Sequence, residues 1–362
     1  MRGSQLIRCE LICQADSIHL QQLYTGFAIL DRSGVVRVNQ TVRKENMYDA
    51  NKPTFLRQAR KTHLRVVLDN QRVLYYDEHD SFEIDPEVLQ EVDFYFKRSY
   101  ADAEVKKLRE NFKVFPLGLN YPVYCGGFDR FSLERATLQE GLEVYRSVLR
   151  GLGVDYILGN RRYGVPRLGR MEAYPDLTAG PRALFIAGAW NPGDAHSKQK
   201  SDEREYINNM RADCIRLLRK EFKKYFLGGF IHDSYVQKKF ADCLLSEPRL
   251  AKKRNYMRLL KQFPIGVATT GLHGSIGWKL AEYVSLSKAI VAERLNYRVP
   301  GQFAREANYL EFSSAAGCAE GVTRLFQDHE LRRRMMVNNF RYYQSYLRPD
   351  LLVLNTLIIA TL

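Results

Sequence analysis

The chain has 362 residues, of which 45% are hydrophobic and 27% are charged, a composition that is ordinary for a folded globular protein and excludes a disordered or fibrous chain. At about 150 residues per domain, this length predicts two domains, each with its own core. Lys and Arg (55) outnumber Asp and Glu (41), and the net charge of +14 predicts an acidic partner: a phosphorylated substrate, an anionic membrane surface or a nucleic acid.

Cysteines and terminal segments bear on the cellular location. The six cysteines are scattered, with no Cys-x-x-Cys pair and no histidine-rich ligand spacing, so they indicate reduced thiols rather than a zinc site or a disulfide framework. The first four residues lack the apolar run of a signal peptide. Residues 351–362 are apolar but too few to cross a bilayer, so we expect them to pack on the body of the protein. We predict a cytoplasmic protein, with peripheral contact at the inner membrane face as the alternative.

The first half of the chain alternates predicted strands and helices. Residues 6–13 form the first buried strand, and Asp16 and Ser17 in the turn after it are typical of a helix that begins near Ile18. His19 would then lie at the carboxyl edge of the sheet, where open α/β folds bind ligands; an exposed histidine in a first helical turn is the alternative. Strands are also predicted over residues 64–68, 72–76, 92–96, 113–115 and 155–158, and helices over 101–111 and 133–152. This alternation predicts a parallel, doubly wound sheet.

Two charged stretches follow predicted strands of this half. Residues 77–80 combine acids with a histidine, which could hold a divalent metal ion, although a solvated acidic loop is the commoner structure. Residues 97–99 form a basic turn, Lys-Arg-Ser, that faces either a phosphate or water. Residues 161–181 are rich in Gly, Pro and Arg without an apolar period, and they form the best linker in the chain. The first domain therefore ends near residue 170.

The strand pattern restarts after the linker. Residues 182–187 form a strand, and Gly188 and Trp190 lie in the turn after it. The long helix predicted over residues 201–225 carries its acids early and its bases late, as the helix dipole prefers, which accounts for the basic run without a ligand. Later strands are predicted over residues 226–231, 264–269, 288–293 and 308–312, and helices over 234–245, 251–262, 315–326 and from 330 to about 346.

A glycine-rich turn lies between the strand over residues 264–269 and the helix that follows it. Gly271, Gly274 and Gly277 let the backbone approach a ligand closely, and the free N–H groups of the helix start near Ser275 favour a phosphate. Glu282 lies farther along the helix, where a carboxylate can accept hydrogen bonds from ribose hydroxyls. Glycines that serve only tight packing are the alternative, and the spacing matches neither a Walker A loop nor the dinucleotide fingerprint.

The segment ATTGLHGSIGWKLAEYVSLSKAIVAE (residues 268–293) resembles the donor-binding segment of GT-B glycosyltransferases of the group 1 type. NYLEF, followed by LFQDHELRRRMMVNN, is similar to the ending of that family, and SIHLQQLYTG, VDFYFKRSY and FPLGLNY resemble its bacterial members more loosely. The resemblance implies an α/β fold with two Rossmann-like, doubly wound domains that face a central cleft. Residues 1–170 would bind the acceptor, residues 171–345 the nucleotide-sugar donor, and residues 346–362 would form a tail packed on the body.

The same resemblance implies roles for individual residues. Glu282 matches the ribose-binding glutamate of the family, and Ser275, Ile276 and Gly277 match the backbone amides at the diphosphate. Gly274, beside His273, stands where many retaining members have a further glutamate, and Gly188 and Trp190 stand where they have an arginine. Lysines that could meet the phosphates are Lys279, from the helix, and Lys198 or Lys200. The implied reaction is a hexosyl transfer that needs no metal ion and no cofactor besides the nucleotide-sugar.

The predicted function is therefore transfer of a sugar from a nucleotide-sugar to a glycan, lipid-linked or small-molecule acceptor in polysaccharide or glycoconjugate biosynthesis. An inverting reaction needs a base, for which His19 and Asp16 are the candidates, and a retaining reaction does not. The alternative is a non-catalytic module of the same fold that binds a nucleotide or glycan. Nucleic acid is not the expected partner, because the aromatic residues fall within predicted strands and helices and no nucleic-acid-binding motif is present.

Overall fold

The computed structural model describes residues 6–13, 17–42, 62–125 and 165–362. Asp16, the helix expected over residues 133–152 and the strand expected over residues 155–158 lie outside the described residues. The predicted fold class is confirmed, because the described chain forms two β-sheets, each covered by helices on both faces.

The first sheet has six strands in the order β2-β1-β3-β4-β5-β6. Its strands are β1 (Ile7–Cys13), β2 (Val36–Val42), β3 (His63–Leu68), β4 (Arg72–Asp77), β5 (Phe94–Lys97) and β6 (Val114–Pro116). All neighbours are parallel except β3, which is antiparallel to both β1 and β4. The expectation of an entirely parallel sheet is wrong at β3. The three residues between β3 and β4 are too few for a crossover, and Asp69 and Asn70 take positive φ in a tight hairpin turn.

Helices cover both faces of the first sheet. They are α1 (Gln21–Arg32), α2 (Pro86–Glu91) and the single turn α3 (Asp102–Val105). The helix expected near Ile18 begins with a 3₁₀ turn (Ile18–Leu20), in which the Ser17 hydroxyl accepts a hydrogen bond from the His19 N–H. His19 therefore lies directly beyond the carboxyl end of β1.

The second sheet is fully parallel and has the strand order β11-β10-β9-β7-β8. Its strands are β7 (Ala183–Ala187), β8 (Phe226–Phe230), β9 (Ile265–Ala268), β10 (Ala289–Glu293) and β11 (Leu310–Phe312). From β7 the chain builds first to β8 and then, in the opposite direction, to β9. The strand order thus reverses between β7 and β9, the kind of place where open α/β sheets form a ligand crevice.

Two helical layers enclose the second sheet. The helices are α4 (Lys198–Phe222), α5 (Ser234–Lys239), α6 (Lys253–Gln262), α7 (Trp278–Ser285), α8 (Ala315–Gln327) and α9 (His329–Tyr342). Apolar residues of α6 and α7 form the core on one face, and those of α4 and α8 form the core on the other. A strand buried on both faces must be apolar throughout, which explains the continuous apolar run Ala-Leu-Phe-Ile-Ala of β7.

The chain connects the two units at both ends of the second domain. Leu119, Tyr121 and Val123, which follow β6, pack into the core of the second domain. After a π-helical turn (Tyr343–Leu347), helix α10 (Pro349–Thr361) returns to the first domain, where Val353 joins the core beside α1. The contact is close, because a Cβ atom at Gly26 of α1 would clash with the Pro349 carbonyl oxygen. Among the described residues, no helix has the length and hydropathy needed to span a bilayer.

Candidate active site between the two sheets

The carboxyl edges of the two sheets meet in a cleft. Arg98 follows β5, and its Nη2 donates a hydrogen bond of 2.7 Å to the carbonyl oxygen of Ile276, in the turn after β9. His19 follows β1, and its ring packs on Trp278, the first residue of α7, with 4.9 Å between ring centroids. The predicted residue His19 and the predicted glycine-rich turn are therefore brought together across the cleft.

The glycine-rich turn (residues 269–277) is held by its own backbone and by one carboxylate. The Gly271 N–H donates to the Ser275 carbonyl (2.8 Å), while the N–H and hydroxyl of Thr270 both donate to Glu293 (2.9 Å each). His273 and Gly274 both have positive φ, and a Cβ atom at Gly274 would lie 2.6 Å from the Asn296 amide nitrogen. Glycine at position 274 therefore serves both a left-handed conformation and a close approach.

The end of the turn forms an open helix start. Gly277 is the N-cap of α7 and has no side chain with which to cap the helix. The first N–H groups of such a helix, together with its dipole, attract an anion. Two cations lie at this point: Lys279 is on the first turn of α7, and Arg98, across the cleft, donates to the carbonyl of Ile276. Ser275 itself is buried inside the turn.

Glu282 occupies a different environment from the one expected for a ribose ligand. Its carboxylate forms an ion pair with Lys253 of α6, and both side chains are buried beside Tyr256. The partner was not foreseen, because Lys253 is 29 residues away in sequence. Within this arrangement a ribose would have to replace the Lys253 ammonium, so ribose binding by Glu282 stays a prediction.

Helix α4 holds the loop after β7 through one polar face. Arg204, Asn208 and Arg211 are spaced at i, i+4 and i+7, so they lie on one side of the helix. Arg204 donates to the Asn191 carbonyl (2.8 Å), and Asn208 bonds both the N–H and the C=O of Trp190 (2.9 and 2.7 Å). The i, i+4 and i+7 spacing of these three residues indicates this polar face in the sequence. The face was not predicted, because the basic residues of the helix were attributed to the helix dipole.

Arg211 fills the crevice at which the strand order reverses. Its guanidinium donates to the carbonyls of Gly188 and Thr270 (2.8 Å each) and to the Thr269 hydroxyl (2.9 Å), so it joins the ends of β7 and β9. Burial lowers the pKa of Arg211 to about 10, which leaves the group charged at neutral pH. The loop directly after β7 has no arginine, and a buried arginine from α4 occupies the crevice there.

Two further predicted donor residues lie at the surface of this loop. The Trp190 side chain is exposed, and Lys198 is the exposed first residue of α4. Neither contacts the glycine-rich turn in the hydrogen bonds and ion pairs of the described residues. Their roles stay predictions.

The first-domain wall of the cleft contains buried polar atoms that lack hydrogen-bond partners among the described residues. They are His19 Nδ1, Asn120 Oδ1 and Glu78 Oε2, the last of which still lies 3.9 Å from Arg98 Nε in an ion pair. The three residues are neighbours, because the Asn120 amide donates to the His19 carbonyl (2.8 Å) and lies beside the Glu78 carboxyl. Buried polar atoms normally have partners, so this wall is suited to a polar ligand.

The two titratable groups of this wall are both shifted toward their neutral forms. Burial raises the pKa of Glu78 to about 8, and the neighbouring Arg98 opposes that rise. Burial lowers the pKa of His19 to about 4, and the charge of Arg98 adds to the lowering. His19 is therefore a neutral imidazole at neutral pH, whereas for Glu78 burial favours the protonated form and the buried Arg98, with Nε 3.9 Å from Glu78 Oε2, favours the carboxylate.

The charged stretches around residues 77–80 and 97–99 form a structural network. Lys97 is fully buried and paired with Asp77 (2.8 Å), which also accepts the Tyr95 hydroxyl (2.6 Å), so Lys97 faces neither a phosphate nor water. Arg98 pairs with Asp80 (2.6 Å) and donates to the Glu78 carbonyl (3.3 Å). Within the described ranges, no group of three His, Cys, Asp or Glu side chains is arranged to hold a metal ion.

A cavity of about 360 Å³ lies beside the glycine-rich turn, at the carboxyl ends of β9, β10 and β11. Gly271 and Gly274 form part of its wall, and residues from the start of α4 form another part. Its remaining lining comes from the ends of β10 and β11. The full lining is Glu203, Tyr206, Ile207, Thr270, Gly271, Gly274, Glu293, Arg294, Asn296, Phe312 and Ser313.

This chain is similar to known proteins in its three-dimensional structure and not in its sequence. No protein-family model matches the chain, and no curated protein matches it in sequence. Among solved structures, sucrose-phosphate synthase from Thermosynechococcus elongatus is 11% identical, with 97% of this chain and 98% of that chain covered and a TM-score of 0.40. HepE from Anabaena, solved in complex with UDP and glucose, is also 11% identical, with the same coverage and a TM-score of 0.36.

A third structure matches about half of this chain. The C-terminal domain of a group 1 family glycosyltransferase from Francisella tularensis is 14% identical, with 49% of this chain and 95% of that chain covered and a TM-score of 0.32. TM-scores below 0.5 at these identities do not establish a shared function.

Proposed function

We propose that this protein is a GT-B glycosyltransferase that transfers a sugar from a nucleotide-sugar to an acceptor in glycan or glycoconjugate biosynthesis. The observation that carries the proposal is the meeting of the two carboxyl edges through Arg98–Ile276 and His19–Trp278. This contact sets an open helix start on one wall against a buried polar wall on the other. A charged leaving group and a reacting hydroxyl can thus be held on opposite sides of one cleft.

The donor diphosphate is assigned to the start of α7, at Ser275, Ile276 and Gly277. Departure of a nucleoside diphosphate builds negative charge, which helix N–H groups and cations stabilise without a metal ion. Lys279 and Arg98 supply that positive charge in the proposal. A guanidinium has five N–H donors; three of those of Arg98 make the hydrogen bonds to Asp80, Glu78 and Ile276, and its Nε lies 3.9 Å from Glu78 Oε2.

The acceptor hydroxyl is assigned to the first-domain wall. If the reaction inverts, a base removes the hydroxyl proton as the new oxygen–carbon bond forms and the bond from that carbon to the diphosphate oxygen breaks. Neutral His19, with Nδ1 lacking a partner, is our candidate base, and Asp16 is the second. If the reaction retains configuration, the same wall only positions the hydroxyl.

We also propose a cytoplasmic location with peripheral membrane contact. Among the described residues, Cys9, Cys214, Cys243 and Cys318 form no disulfide bond, in keeping with a reducing compartment. The net charge of +14 favours approach to anionic lipid, and a lipid-linked acceptor would be found there.

The test of the proposal is release of nucleoside diphosphate from a panel of hexose nucleotide-sugars, with and without Mg²⁺ and with a mixture of candidate acceptors. We expect release from one nucleotide-sugar class, unchanged when Mg²⁺ is chelated. His19→Ala should abolish release but leave nucleotide binding intact if His19 is the base. Nucleotide binding without release from any member of the panel would instead identify a non-catalytic binding module.

A further inference from the structure

Helix α9 crosses the amino edge of the second sheet, on the side of that domain away from the cleft. Asn339 of α9 donates a hydrogen bond to the Lys288 carbonyl, directly before β10 (2.7 Å). Arg332, nearer the start of the helix, donates to the Ala179 carbonyl, upstream of β7 (3.4 Å). The outer face of α9, with residues 173–182 before β7 and residues 223–225 before β8, therefore forms a surface opposite the cleft, which we call the amino-edge surface.

The amino-edge surface exposes large aromatic and apolar side chains. Tyr174 is 82% exposed, and its ring packs on Phe340 of α9 with 5.2 Å between ring centroids. Leu177 lies on the same loop, is 40% exposed, and is held by a hydrogen bond of 2.9 Å from Arg333 to its carbonyl. Tyr225, directly before β8, is 48% exposed. Exposed apolar side chains that are grouped on one folded surface are typical of an interaction site.

Cations surround these side chains. Of the exposed arginines of α9, Arg333 pairs with Glu330 (3.1 Å), whereas Arg334 and Arg341 form no ion pair with another residue that the structure describes. Exposed cations outnumber exposed carboxylates on the amino-edge surface as a whole. The cations are Arg182, Lys223, Lys224, Arg333, Arg334 and Arg341, and the carboxylates are Asp176, Asp328 and Glu330.

The spread of these charges indicates an extended anionic partner. Arg334 and Arg341 are about 10 Å apart along the helix axis, and the lysines before Tyr225 belong to another segment, so the cations do not converge on one small anion. An anionic bilayer fits both features, because its surface potential attracts Lys and Arg while Tyr and Leu side chains enter the headgroup region. A nucleic acid would attract the cations but would offer Leu177 no apolar environment.

We propose that the amino-edge surface docks on an anionic lipid bilayer, with Tyr174 and Leu177 in the headgroup region and Arg334 and Arg341 against the lipid charges. The inference rests on the peripheral membrane contact of the proposed function and names the surface that makes it. Because this surface lies opposite the cleft, docking leaves the cleft open to its ligands.

The experiment is co-sedimentation of the full chain with vesicles of phosphatidylcholine, alone or with about 30% phosphatidylserine. Wild type should bind the anionic vesicles at least about tenfold more tightly than the neutral ones. Arg334→Gln with Arg341→Gln should weaken anionic binding about tenfold or more, and Tyr174→Ser about threefold or more. Arg254→Gln with Arg258→Gln is the matched control: it removes the same charge from the exposed face of α6 and should weaken binding less than about twofold.

Absence of binding to anionic vesicles by wild type would overturn the inference. Equal losses of binding by the α9 and α6 double variants would also overturn it, because the effect would then follow net charge alone. Retention of single-stranded DNA or RNA by wild type, without vesicle binding, would assign the surface to nucleic acid and would likewise overturn a lipid partner.

Release of nucleoside diphosphate, measured on the same samples, separates this result from the transfer reaction. The α9 double variant should release nucleoside diphosphate as wild type does, because its substitutions lie at the edge opposite the cleft. Release without vesicle binding would contradict the docking surface alone. Vesicle binding that depends on α9, without release from any nucleotide-sugar, would support the docking surface and contradict the transfer reaction.

Discussion

At the scale of single residues, the buried Glu282–Lys253 pair has the clearest energetic consequence. Removal of one partner leaves an uncompensated buried charge, which typically costs about 3–5 kcal/mol. We expect Glu282→Leu to lower the free energy of unfolding by that order, and Glu282→Leu with Lys253→Met to recover most of the loss. Urea denaturation measures both. A single variant as stable as wild type would mean that the carboxylate is not committed to Lys253 and remains available to a ribose.

Glu78 makes a pH-dependent contribution at the same scale. Its pKa is about 8 in the folded protein against about 4.3 in an unfolded chain, so the folded state holds the proton more tightly. Stability must therefore fall as pH rises from about 4.3 toward 8. Glu78→Gln removes this dependence, and we expect it to raise Tm relative to wild type by at least about 2 °C more at pH 8 than at pH 5.

The control for that measurement is Glu91→Gln, at an exposed carboxyl of α2. It should leave the difference in Tm between the two pH values as it is in wild type. If Glu78→Gln behaves like Glu91→Gln, Glu78 is ionised in the folded protein at neutral pH, and the polar wall of the cleft carries an additional negative charge.

At the scale of elements, the polar face of α4 organises the carboxyl edge of the second sheet. Arg211→Ala would leave the carbonyls of Gly188 and Thr270 without their donor in a buried crevice, at a cost of about 2–4 kcal/mol. Arg216→Ala, on the same helix, removes only exposed ion pairs with Asp213 and Asp242 and should cost less than about 1 kcal/mol. Equal losses of unfolding free energy for the two variants would show that Arg211 does not hold the strand ends together.

Local elements were predictable where the signal lies within a few residues. The strand, glycine-rich turn and helix around residues 265–285 follow from apolar period and glycine, and the structure places them there. The hairpin between β3 and β4 could also have been predicted, because Asp69 and Asn70 are residue types that tolerate positive φ. The alternation of strands and helices favoured a parallel pair, but the short turn makes β3 and β4 antiparallel.

Partners distant in sequence were not predictable. Nothing near Glu282 indicates Lys253, and nothing near Ile276 indicates Arg98, 178 residues away, because such contacts depend on how complete elements and domains pack. His19 could be placed at a sheet edge from its position after β1. Its contact with Trp278 could not be predicted, because Trp278 belongs to the second domain and the contact depends on how the two domains pack.

At the scale of the whole molecule, the two domains are joined by more than the linker. The segment after β6 packs into the second core and α10 packs into the first, so each domain is completed by chain from beyond its own sheet. Between these connections the cleft is bridged by Arg98 and by the exposed pair Arg298–Asp102 (2.8 Å). The central claim is that the Arg98 bridge marks the diphosphate site, whereas the Arg298 bridge only joins the domains.

The measurement that tests this claim most directly is a thermal-shift screen of wild type, Arg98→Gln and Arg298→Gln against uridine, guanosine, adenosine, cytidine and thymidine diphosphates, with and without Mg²⁺. A ligand that binds only the folded state raises Tm. One diphosphate should raise the Tm of wild type and Arg298→Gln with or without Mg²⁺, and Arg98→Gln should lose at least about half of that shift. No shift of wild type at millimolar ligand, or an undiminished shift of Arg98→Gln, would contradict the account.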